Sequence, residues 1–116
     1  MIDLNKYSDQ ELLKFIQNDA NIKDKAFATL YHKYSSRIYL YCRKVLGEGN
    51  YVNDIFQETF LKFLNAVEKG YEINNVLSYL LKTSRNLCLN FRRENKIYFT
   101  EIDDFNVPVS NNELES

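Results

Sequence analysis

Residues 52–70, VNDIFQETFLKFLNAVEKG, decide the fold. Val52, Ile55, Phe56, Phe60, Phe63, Leu64 and Val67 recur at steps of three and four, which puts them on one side of an α-helix. Gly70 supplies the stop. The same period runs outward in both directions. Upstream, Phe27, Leu30, Tyr31, Tyr34, Ile38, Cys42 and Val45 predict a longer helix from about 25 to 46, closed by Gly47. Further upstream, Ser8 and Glu11 have capping-box spacing, and Leu12, Leu13, Phe15 and Ile16 make one side of a short helix. Downstream, Leu77, Leu80, Leu81, Ser84, Leu87, Cys88 and Phe91 predict a fourth helix from about 75 to 95. No strand alternation or internal repeat interrupts the series. The expected fold is all-α, a small bundle of about four helices with a flexible acidic C-terminal tail.

Composition agrees. The chain has 116 residues, of which 45% are hydrophobic, so it is a single domain with a buried core rather than an intrinsically disordered chain. Three Gly, one Pro and no Trp argue against a sandwich or barrel, which needs many tight turns. Cys42 and Cys88 lack metal-ligand spacing and read as small core residues, so neither a disulfide scaffold nor a metal site is expected. His32, among Tyr and Lys residues, reads as an ordinary surface histidine. No apolar run approaches the ~20 residues that cross a bilayer, and residues 1–10 are not a signal peptide, so no membrane insertion and a cytoplasmic location are expected.

Charge is unevenly spread. Residues 1–100 carry 15 basic and 11 acidic side chains, whereas Glu101, Asp103, Asp104, Glu113 and Glu115 follow with no base among them. The division expected is a helical domain over 1–97 and an acidic linker or tail over 98–116. A mildly basic body with an acidic tail hints at a polyanion partner.

Three surface features remain once the apolar faces are paired. Asp54, Gln57, Glu58 and Leu61 share a face of the third helix, and no basic residue lies between Lys44 and Lys62, which leaves both carboxylates without a local partner. The face suits docking of a basic or amide-rich helix, although Asp54 also suits the helix N-terminus electrostatically. The fourth helix carries Lys82, Arg85, Asn86, Asn90, Arg92 and Arg93, with Lys96 after it. Lys82, Arg85, Asn86 and Arg93 can share a face. Basic side chains neutralise phosphates and amides pair with base edges, while Tyr71, Tyr79, Tyr98 and Phe99 offer faces for unpaired bases. A solvated basic face with core aromatics reads equally well from these residues alone. Between the two helices, residues 70–75 (GYEINN) form a short loop in which Asn74 or Asn75 caps the fourth helix, or which presents a pocket for an unstacked base.

Together these segments resemble domain 2 of bacterial sigma factors of the extracytoplasmic-function group. The resemblance covers about residues 8–96. It rests on AFATLYHKYSSRIYLYCRKVLG (26–47), VNDIFQETFLKFL (52–64) and LSYLLKTSRNLCLNFRR (77–93), in the family's order. It implies a transcription initiation factor domain without catalytic residues, cofactor or metal. Asn53, Asp54, Gln57, Glu58 and Leu61 would contact the clamp coiled coil of the largest subunit of the RNA polymerase core. Tyr71, Glu72, Ile73, Asn74 and Asn75 would cradle a base flipped from the single-stranded non-template strand of the promoter −10 element. Tyr79, Lys82, Asn86 and Asn90 would line that strand's path. Arg92 and Arg93 would hold phosphates, and Arg85, at a place more often apolar in the family, would hold another. An anti-sigma factor is a further partner at family level. Tyr79 stands where the family usually has Trp. The family's helix-turn-helix domain has no counterpart in these residues, so the expectation is a truncated chain, the alternative being a naturally short, single-domain relative. The competing readings are a helical protein-interaction module or sigma-like regulator without productive DNA contact, and an enzyme. The run of bases on the fourth helix disfavours the module. An enzyme lacks a nucleophile–base pair, metal cluster or phosphate-cradling glycine loop.

Overall fold

A computed structural model describes residues 3–95. After a 3-10 turn at Leu4–Lys6 come four helices: α1 (Asp9–Asn18), α2 (Lys23–Leu46), α3 (Asn50–Glu68) and α4 (Val76–Asn95). The all-α bundle expected from the periodicity is the one observed. The tail, the 97/98 boundary, Lys96, Tyr98 and Phe99 lie outside the described residues.

Each boundary has a local cause. The Ser8 hydroxyl accepts from the Glu11 N–H at 3.2 Å, and the Glu11 carboxylate accepts from the Ser8 N–H at 2.8 Å, the reciprocal capping box. At the end of α3, Gly70 takes φ +84°, where side-chain-bearing residues are strained. Its N–H bonds the Val67 carbonyl and the Tyr71 N–H bonds the Ala66 carbonyl, both at 3.0 Å, which is the Schellman pattern. Of the two candidate caps for α4, Asn75 is the one used: its Oδ1 accepts from the Ser78 N–H at 2.8 Å. Two helices begin two residues earlier than the apolar stripe indicates, α2 at Lys23 and α3 at Asn50, because neither Ile22 nor Gly49 supplies a side-chain cap that the sequence could advertise.

α2 is the central element and packs against the other three; α3 and α4 form a hairpin across it. Leu12, Leu30, Ile38, Phe63 and Leu80 are fully buried at the centre. Burying a side chain of this size stabilises by about 1.5–3 kcal/mol, so these five outweigh any surface pair below. α1 is tied to α2 through Asp9, which accepts from the Lys33 ammonium at 2.8 Å and from the Tyr34 hydroxyl. Hydrogen bonding to Asp9 holds the Lys33 pKa above its ordinary range, and burial followed by the Asp9 bond does the same for Tyr34. Cys42 and Cys88 are free, buried core residues as expected. Bonding to the Cys42 thiol and burial push the Cys88 thiol far up, so it stays protonated and unreactive. His32 is exposed, again as expected.

One expectation needs correction. The apolar stripe places Leu77, Leu81, Leu87 and Phe91 in the core of α4, but they only half-bury, while Val76, Leu80, Ser84 and Cys88 are buried. Leu87 and Phe91 pack against the core on one side and face the open groove between α3 and α4 on the other, which leaves each half-covered.

Candidate functional site

Two surfaces, which share Glu58, arise from the α3–α4 hairpin. On α3, Asn53, Asp54, Gln57, Glu58 and Leu61 are all exposed on the side away from the core, with Leu61 at 63%. A leucine that open, between polar neighbours, suits a surface that another protein covers. Asp54 and Gln57 make no side-chain hydrogen bond to another described residue. Glu58 differs from expectation: Lys62, one turn on, lies 4.0 Å away. Both side chains are about half exposed, so the pair is worth little in water. Asp54 is not a first-turn acid either, because α3 starts at Asn50 and has none there, and the dipole effect fades beyond that turn.

The second surface is a groove of about 750 Å³ between α3 and α4. Tyr79, Lys82, Asn86 and Asn90 line it, as does Tyr71, so the structure brings together five of the nucleic-acid candidates. Lys82, Asn86 and Asn90 stand four residues apart, which stacks them along one edge of α4. Ile55, Glu58, Lys62, Thr83, Leu87, Phe91 and Glu94 complete the wall. The floor is therefore apolar and aromatic, and ammonium, amide and carboxylate groups stand around it. At the far end the Tyr51 ring stacks on Phe91, with centroids 4.8 Å apart and planes at 26°, which fixes the start of α3 against the end of α4.

A smaller pocket of about 270 Å³ adjoins the groove and is lined by Glu72, Ile73, Asn74, Asn75, Ser78, Tyr79 and Lys82. Tyr79 and Lys82 thus form the wall common to both cavities. Tyr79 is half-buried against Phe63, with ring centroids 6.0 Å apart. Burial raises the pKa of its hydroxyl, a Thr83 bond opposes the shift, and neighbouring Tyr71 adds to it, so it remains a neutral donor. Within the loop, Ile73 is a core anchor at 5% exposure, whereas Tyr71, Glu72, Asn74 and Asn75 are open to solvent.

The arginines stand apart from both cavities. Arg85, Arg92 and Arg93 do not line the groove. Arg93 is exposed, while Arg85 and Arg92 are half-buried and have contacts of their own. Arg92, one turn beyond Cys88, is close enough to act on that thiol. Sequence reasoning missed Lys62 and Thr83 as groove residues because both sit between core positions of their helices. It also missed Gln10, whose amide Nε2 donates to the loop carbonyls of Ile73 at 2.9 Å and Asn74 at 3.2 Å.

Among the described residues, no cluster of His, Cys, Asp and Glu has the grouping that holds a metal ion, and no helix is long and apolar enough to cross a membrane. What the hairpin presents is a helical binding domain, with a protein-like face on α3 and a cleft of aromatic, amide and ammonium groups beside α4. Residues 30–97, more than half of the chain, match the model of sigma-70 region 2, and the chain belongs to that family. It is a sigma factor domain, involved in RNA polymerase binding and promoter recognition. No curated protein and no solved structure matches it.

Proposed function

We propose that the domain belongs to the extracytoplasmic-function group and opens a promoter by trapping one base of the −10 element. In this reading Asn53, Asp54, Gln57, Glu58 and Leu61 dock on the clamp coiled coil of the polymerase's largest subunit. A base turned out of the non-template strand enters the loop pocket formed by residues 71–75. The strand on either side of it runs along Tyr79, Lys82, Asn86 and Asn90, and Arg85, Arg92 and Arg93 hold phosphates outside the groove. Residues 98–116 serve as an acidic linker.

The observation that carries this reading is the wall common to the two cavities. Tyr79 and Lys82 line a long groove on one side and a small pocket on the other. A strand in the groove can therefore drop one base into the pocket without leaving its path, with an aromatic ring to stack on and an ammonium beside the backbone. Unstacking a base costs a few kcal/mol, and capture in a pocket offsets that cost without any chemical step. The docking face on α3 meets the groove at Glu58, which lines it, whereas Asn53, Asp54, Gln57 and Leu61 stand outside it.

The test is binding of the chain to a fragment carrying the polymerase clamp coiled coil, beside an Asp54→Ala, Gln57→Ala double variant. Hydrogen bonds to charged groups are worth about 1.5–3 kcal/mol, so affinity should fall by about tenfold or more. Neither side chain bonds another described residue, so thermal stability should stay within about 0.5 kcal/mol of the parent. Unchanged affinity in the double variant would overturn the docking assignment.

A further inference from the structure

The pocket loop is held by a helix that lies outside the family match. Residues 30–97 match sigma-70 region 2, whereas α1 precedes them. From α1, the Gln10 amide donates to two consecutive loop carbonyls, Ile73 at 2.9 Å and Asn74 at 3.2 Å. Seven residues on, and so on the same side of α1, Gln17 Nε2 donates to the Val67 carbonyl at 3.2 Å, at the end of α3. The two glutamines strap the α3–α4 connection at both ends. The strap is itself anchored: Asp9, next to Gln10, is bonded to Lys33 and Tyr34 of α2.

This clamp decides which groups the loop offers to a ligand. The described residues contain no cis peptide bond. In a trans peptide the N–H points opposite to the preceding carbonyl. With the Ile73 and Asn74 carbonyls turned to α1, the N–H groups of Asn74 and Asn75 point away from it. Neither donates a hydrogen bond to another described residue, and both residues line the 270 Å³ pocket. Two successive main-chain donors on an exposed loop match the acceptor atoms of a base edge.

We infer that Gln10 is a positioning residue for base selection: by holding the Ile73 and Asn74 carbonyls, it aims the Asn74 and Asn75 N–H groups at the acceptor edge of the captured base. This inference rests on the loop pocket being a base pocket.

The experiment uses the full chain bound to polymerase core, with fluorescent single-stranded octanucleotides selected from a random pool and then varied one position at a time. The readout is the ratio of affinities for the best and worst base at the most selective position. Gln10→Met keeps the shape and removes both donors, and a loss of preference of about tenfold is the expected result. Affinity for the coiled-coil fragment should not move. Gln10→Arg, which retains N–H donors, should restore the preference. Gln17→Met, which loosens the same helix but leaves the loop carbonyls bonded, should keep it. Wild-type preference in Gln10→Met, or an equal loss in Gln17→Met, overturns the inference. An absence of preference in the parent chain sinks the base pocket itself, which the parent measurement alone reveals. Should Gln10→Met fail to fold, the amide resonances of Asn74 and Asn75 in the parent decide: they must shift on binding the selected octanucleotide, and unmoved resonances refute the role.

Discussion

Replacing Gly70 by Ala isolates the cost of the turn that launches the pocket loop. Gly70 sits at φ +84°, and a Cβ placed there meets nothing within 4 Å. No clash with a packed neighbour contributes, so the effect is local backbone strain set against the change in the unfolded chain. Holding an L-residue in the left-handed region costs about 1–2 kcal/mol. Alanine also restricts the unfolded chain, which returns about 0.4–1 kcal/mol. The net expectation is a loss of about 1 kcal/mol, or roughly 5 °C in melting temperature for a domain of this size. Gly70→Asn, whose side chain tolerates this conformation, should recover part of that loss. Gly49→Ala is the contrast. Its Cβ would stand 2.6 Å from the Tyr51 ring, so that ring must leave its stack on Phe91 and the loss should be larger. Urea and thermal melts of the three variants measure the order. A Gly70→Ala variant as stable as the parent, or one weakened by more than Gly49→Ala, would refute the assignment of the cost to backbone conformation alone.

Two further outcomes follow from the site and the α1 anchor. Arg93→Ala, at an exposed position, should weaken single-stranded DNA binding equally across sequences and reduce the salt slope by about 0.7, the share of one phosphate on a single strand; a sequence-dependent loss would place Arg93 at a base instead. Lys33 and Tyr34 both hold their protons more tightly in the folded chain than in the unfolded one, so the stability they contribute is complete below about pH 10 and is lost as pH rises through the folded pKa values. Melts taken from pH 8 to 11 should show Tyr34→Phe losing less stability across that range than the parent, and an identical loss would remove Tyr34 as a contributor.

What the sequence made legible was whatever is written locally. The capping box at Ser8 and Glu11 lies within four residues, and the apolar stripes repeat within single helices, so helix number, order and most boundaries could be read. Asp54, Gln57, Glu58 and Leu61 of α3 could also be grouped, because helical spacing puts them on one face. Asn53 joined the candidates only through the family resemblance, and Tyr79 and Asn90 by residue type and that resemblance rather than by spacing. Spacing set Arg85 and Arg93 beside Lys82 and Asn86, although neither arginine lines the groove. Features made by meeting elements were not legible. Gln10 and Ile73 are 63 residues apart, and the acceptors are main-chain carbonyls that carry no residue code. The open groove, which leaves Leu87 and Phe91 half-covered, depends on how far α4 stands from α3. The Glu58–Lys62 pair was a miss of a different kind, since the spacing of four was in plain view.

α1 has a practical consequence for anyone shortening the chain. Leu12, Leu13 and Ile16 are at most 6% exposed. A fragment cut to the matched residues 30–97 would leave their seat on α2 and α3 bare, and a contiguous uncovered apolar strip of that kind promotes self-association. The stretch recognised as kin is shorter than the stretch that folds. A shortened chain made for expression should therefore begin no later than the turn at Leu4–Lys6, which brings Leu4 to the same seat.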